Sequence, residues 1–179
     1  MKRLVAILLS VLSLAATARA DTIRLFSYDP ADAETRNATG PVTLQFRQGL
    51  LHATVMNLRS TEAPATTELS RVPDNAIGPG GLARVLGKDQ AWRDLYRVGD
   101  KGEGQAMLQA LCQTPKGWLA IGRPRYGGEL SIYVIGAGTD GAPKLCRTLN
   151  FSFRGEWRVP KTGSFDPNLL DHTRRGPTS

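Results

Sequence analysis

What most constrains this chain is the alternation of apolar and polar side chains with a period of two residues. Val42, Leu44 and Phe46 alternate with Thr43, Gln45 and Arg47, and Gln48-Gly49 then reads as a turn. The return segment, Leu50 to Leu58, places Leu51, Ala53 and Val55 on one face and His52, Thr54 and Met56 on the other, so the pair reads as a β-hairpin. Thr22 to Tyr28, rich in β-branched and aromatic residues and closed by Asp29-Pro30, reads as a first strand. Strand patterns return at Trp118 to Ile121, Glu129 to Ile135, Lys144 to Phe153 and the short Trp157 to Val159, with glycine-rich links between them. Glu129 to Ile135 is apolar on both sides, as a central strand would be. In the following segment Leu145, Leu149, Phe151 and Phe153 share a side that Arg147 interrupts. A bulge, an edge position or a salt bridge would each account for that arginine.

The middle of the chain reads differently. Ala31 to Gly40 is polar and small, and Ser60 to Gly81, with Pro64, Pro73 and Pro79, reads as a long loop. Leu82, Val85 and Leu86 share a helical face. Asp89 is placed to cap a helix over Gln90 to Val98, where Trp92, Leu95 and Tyr96 fall at i, i+3 and i+4. A further helix carries Met107, Leu108, Leu111 and Cys112 and stops at Pro115. Strands, then helices, then strands predict an α+β fold: a mainly antiparallel sheet of about five to six strands with two or three short helices packed on it. No internal repeat is present.

The first twenty of the 179 residues have the form of an export leader. Lys2 and Arg3 precede an apolar run from Leu4 to Ala16, and Ala18-Arg19-Ala20 is the small-x-small pattern that signal peptidases cut, between Ala20 and Asp21. The apolar run falls short of the roughly 20 residues that a bilayer core requires, so no transmembrane span is expected. Residues 21–164 are expected to form one globular domain, and 165–179, rich in Pro, Thr, Arg and Gly, a flexible tail. Export to an oxidising compartment, periplasm or extracellular space, leads to the expectation that Cys112 and Cys146 form one disulfide.

Several motifs invite a chemical reading. Gly136-Ala137-Gly138-Thr139-Asp140-Gly141 satisfies GxGxxG, but a strand pattern follows it where a dinucleotide site needs a helix, so a hairpin turning at Asp140-Gly141 is expected and no cofactor. His52 and His172 are the only histidines, no GxSxG accompanies them, and no Cys/His set has metal-binding spacing. Asp29, Asp32 and Glu34 read as a solvated turn rather than a calcium loop. Asp74, Asp94, Glu103, Glu129 and Glu156 could supply the two carboxylates of a hydrolase if they converged in space.

Arginine beside aromatic residues recurs at Trp92-Arg93, Tyr96-Arg97, Arg123-Pro124-Arg125-Tyr126 and Arg154-Gly155-Glu156-Trp157-Arg158. Guanidinium binds phosphate or carboxylate bidentately and the ring adds apolar contact, so such pairs suit anionic partners. Trp92, Arg93, Arg123, Arg125, Tyr126, Arg154, Trp157 and Arg158 are therefore the candidate binding residues. Without the leader the excess of basic residues is small, which gives no case for nucleic acid. The leading expectation is an exported, non-catalytic binding or accessory module of the cell envelope, holding an anionic component or another envelope protein. A carboxylate-dependent hydrolase of an envelope polymer is the alternative.

Overall fold

The computed structural model describes residues 22–49, 52–61, 66–138 and 140–157. Eight strands form one antiparallel sheet that closes on itself: β1 (Thr22–Pro30), β2 (Val42–Gln48), β3 (Ala53–Ser60), β4 (Thr66–Val72), β5 (Asp94–Val98), β6 (Gly117–Ile121), β7 (Leu130–Ala137) and β8 (Pro143–Trp157). Each strand pairs with its neighbours in the chain, and β8 returns to pair with β1. Closure removes the unpaired edges that an open sheet would expose.

This corrects the α+β expectation of five to six strands carrying helices. Ser60 to Gly81 is not one long loop, because it contains β4, with Thr67 and Leu69 turned into the core. The helix expected over Gln90 to Val98 is a single 3₁₀ turn at Lys88–Gln90 followed by β5. Leu95 and Tyr96 are both buried because they face opposite sides of a strand covered on both faces. The polar stretch before β2 contains α1 (Ala33–Thr39), which Asp32 caps by accepting from the Thr35 amide at 2.7 Å. The segments expected at Lys144 to Phe153 and Trp157 to Val159 belong, as far as Trp157, to the single strand β8. The first hairpin, the helical face at Leu82 and the helix before Pro115 do form, as β2–β3, α2 (Gly81–Leu86) and α3 (Gly102–Cys112).

The lumen is filled by side chains. Phe26, Tyr28, Leu44, Phe46, Tyr96 and Phe151 are almost wholly buried there, with smaller aliphatic residues between them. Eight strands enclose a space just wide enough for this, and each such side chain contributes about 1.5–3 kcal/mol by leaving water. Outward positions carry Thr43, Gln45, Arg59, Glu68 and Arg97. Most of the exposed wall is thus polar outside and apolar inside, with Ile23 and Trp157 as its exposed apolar side chains; a membrane-spanning barrel has the reverse pattern. One stretch of wall is covered: residues 74–91, including α2, fold back over β5, β6 and β7, and Ile77 and Leu82 bury Leu95, Ala120 and Ile135.

The connections α1 and α3 lie at the same end of the barrel, here called the upper end. Met107, Leu108 and Leu111 of α3 join the core and close this end. Cys112 in the last turn of α3 is bonded to Cys146 of β8, as expected. Gly136 of β7 lies beneath the bond, and a Cβ there would come within 2.9 Å of the Cys146 Sγ and 2.7 Å of the Thr114 methyl. The GxGxxG stretch begins at this glycine and is the β7–β8 link, which makes it a hairpin as expected.

Two β-bulges explain the irregular pattern of β8. The register shifts at Cys146, so Arg147 lies opposite Val134 with inward parity. Arg147 donates through Nε to the Leu111 carbonyl at 3.1 Å and through Nη1 to Glu34 at 3.2 Å, joining α3 to α1. Of the three accounts of Arg147, the bulge and the salt bridge are both present. The second bulge, at Arg154, lies against Ser27–Tyr28. It turns Phe153 and Glu156 both inward and leaves Trp157 outside. The export leader, Ala20, Asp21, Arg158, His172 and the expected C-terminal tail lie outside the described residues.

Candidate functional site

The lower end of the barrel, where β1 begins and β8 stops, gathers almost every candidate residue. Antiparallel order places there the starts of β1, β3, β5 and β7 and the ends of β2, β4, β6 and β8. Trp92 and Arg93 precede β5, residues 122–129 link β6 to β7, and Arg154 and Trp157 end β8. Three separate pieces of sequence therefore meet on one rim. Arg97, on the outer wall of β5 away from this rim, is not part of it.

At the centre of the rim lies an inward-facing polar cluster. Arg24 shares the inward parity of Phe26 and donates to both carboxylate oxygens of Glu156, at 2.7 and 2.8 Å, and to the Gln48 amide oxygen at 2.6 Å. Its guanidinium stands 4.8 Å from the centre of the Phe26 ring, which closes the lumen below it. Hydrogen bonding to Glu156 raises the Arg24 pKa further above its ordinary value, so the guanidinium stays cationic. The Tyr126 ring lies beside this floor, 5.0 Å from Phe153 and 6.4 Å from Phe26.

Around the rim the aromatics are held by specific contacts. Arg93 is sandwiched between Trp92 and Tyr133, 4.5 and 4.4 Å from the two ring centres, and donates to the Tyr133 hydroxyl and to Gln90. The Trp92 ring passes over Gly122, where a Cβ would come within 3.3 Å of it. Trp157 donates from its indole nitrogen to the Ser27 hydroxyl at 2.8 Å, and Arg154 reaches Asp29 at 3.5 Å. Arg123 and Arg125 are exposed and have no ion-pair partner among the described residues.

Two properties distinguish this end. First, among the described residues the exposed large apolar side chains, Ile23 (44%), Trp92 (66%), Tyr126 (72%) and Trp157 (54%), all belong to it. Second, the described segments 22–26, 46–49, 52–55, 71–94, 122–129 and 154–157 hold nine Lys and Arg against five Asp and Glu, whereas the other described residues hold seven of each. Counting Asp29 with the Arg154 it pairs, nine basic residues stand against six acidic ones at this end and seven against six elsewhere, so most of the excess positive charge of the described structure lies at the lower end. Sequence reading missed Ile23 and Arg24. Arg24 in phase with Phe26 carried a signal, since a guanidinium on the apolar side of a strand must find a charged or polar partner there, as Arg24 does in Glu156 and Gln48.

Four of the five candidate carboxylates are engaged by separate partners. Asp74 accepts from the Leu82 amide at 2.7 Å, Asp94 pairs with Arg71, Glu103 accepts from the Thr66 amide, Glu156 holds Arg24, and Glu129 is exposed in the β6–β7 link. His52 is exposed at the lower end beside β3. Among the described residues no group of three or more His, Cys, Asp and Glu side chains could hold a metal ion, and no helix is long and apolar enough to cross a membrane.

Fold and rim together define a class: a small closed up-and-down barrel with a packed lumen and an aromatic, basic end. No protein-family model, curated protein or solved structure matches the chain.

Proposed function

We propose that this protein is an exported, non-catalytic binding module of the cell envelope that holds an anionic component at the lower end of its barrel. The observation that carries the reading is the coincidence of the charge excess with the exposed aromatic residues on one rim. A lumen packed with Phe26, Phe46 and Phe151 leaves recognition to the surface. Arginine supplies bidentate hydrogen bonds to phosphate or carboxylate, and exposed Trp and Tyr add contact area. The leader pattern and the disulfide support placement outside the cytoplasm.

The test is co-sedimentation of the secreted chain with a purified envelope fraction. Retention that falls at high salt and is weakened by R123Q/R125Q is expected. Retention indifferent to both would overturn the reading. A mass spectrum of the secreted chain should begin at Asp21.

A further inference from the structure

Resting on that reading, we propose that the anionic component is a bilayer surface, and that the barrel docks end-on against lipid headgroup phosphates. The argument is the arrangement of the exposed side chains as well as their chemistry. Ile23 and Trp157 belong to the neighbouring strands β1 and β8, Tyr126 to the β6–β7 link, and Trp92 to the start of β5. Counted round the closed sheet, they occupy an arc of five consecutive strands, β5 to β8 and β1. At about 4.8 Å per strand that arc runs for roughly 20 Å around a rim. A single polymer strand or peptide in a groove touches side chains along a line, whereas a broad surface touches an arc of a rim at once.

The side chains fit the boundary layer of a bilayer. Trp and Tyr have an apolar body and a polar tip and favour the headgroup level, and Ile23 adds a purely apolar contact that a glycan or polyphosphate would not reward. Arg123 and Arg125 lie beside Tyr126 on the same link, where guanidinium meets phosphate while the ring enters the interface. The polar outer wall confines contact to the end, so the barrel rests on the membrane without entering it.

The experiment measures binding of the disulfide-intact chain to vesicles of phosphatidylcholine with and without about one third phosphatidylglycerol, by co-sedimentation and tryptophan emission. Each arginine at an anionic surface is worth about 1 kcal/mol, so R123Q/R125Q should weaken partitioning about 30-fold. R36Q/R59Q removes the same charge from elsewhere on the barrel, and binding should be unchanged. A blue shift of emission that W157F diminishes is expected on binding. Equal binding to neutral vesicles, equal losses in the two double variants, or no vesicle binding would overturn the proposal. Inorganic polyphosphate separates the two readings: if it is bound through Arg123 and Arg125 while vesicles are not, the bilayer proposal falls and the anionic binding end stands. If neither is bound, both fall.

Discussion

Tyr28 is the residue at which this barrel departs most from an apolar core. Its ring packs edge-on to Phe26 and Phe153, and its hydroxyl is buried with no hydrogen-bond partner among the described residues. Tyr96, also in the lumen, accepts from the Val55 amide beside the bulge of β3. Burial raises the pKa of both phenols, most strongly that of Tyr28. The folded state therefore keeps protons that the unfolded state loses above about pH 10, and stability falls as pH rises through that value. Y28F removes an unpaired hydroxyl, so it should be neutral or stabilising by about 1 kcal/mol at pH 7 and should make the alkaline decline shallower. Urea unfolding at pH 7 and pH 11 checks both signs; a loss of several kcal/mol at pH 7 would mean that the hydroxyl has a partner. Residue by residue, the candidate site was partly legible. Arginine–aromatic pairs could be recognised one at a time, but their meeting on one rim depends on strand order, which single residues do not encode.

At the scale of elements, legibility depended on how many faces of a strand are buried. β2 and β7 announced themselves through alternation or a continuous apolar run. β5 did not, because residues 74–91 cover its outer face: burial of the adjacent pair Leu95 and Tyr96, with Trp92 three residues before, imitates a helical stripe. β4 turns only Thr67 and Leu69 inward between exposed polar residues, and its hydrophobic signal is correspondingly weak. β8 was divided because bulges at Cys146 and Arg154 each reverse the alternation. The disulfide was legible because it needed only the compartment and an even cysteine count. It spans 34 positions and ties α3, which closes the upper end, to β8. Loop closure of that length restricts the unfolded chain by roughly 3–4 kcal/mol. C112S/C146S should lose about that much stability in a denaturant titration, and reductant should affect only the parent protein.

For the molecule as a whole, the decisive contact is the one between its ends. Phe26 faces Glu156 across the β1–β8 pair, so the sheet closes only when residues about 130 positions apart meet. Such long-range pairing is costly to reach during folding and leaves strand edges exposed until it is made. Removing residues 143–179 should leave one edge of β1 and one edge of β7 without a neighbour and deprive Arg24 of its contact with Glu156. The shortened chain is expected to elute from size exclusion as aggregate; a stable monomer with native β-sheet dichroism would show that closure by β8 is dispensable. The same topology explains why the sequence alone points to an open sheet: a closed barrel and an open antiparallel sheet share their local alternation, and only the pairing of first strand with last separates them.

Thr22 and Trp157, the first and last described strand residues, lie at the rim that we assign to recognition. A fluorescent protein or purification handle fused next to either would stand between the barrel and its target and could silence a protein that is fully folded. The β7–β8 hairpin, at the far end, is where a reporter should be inserted.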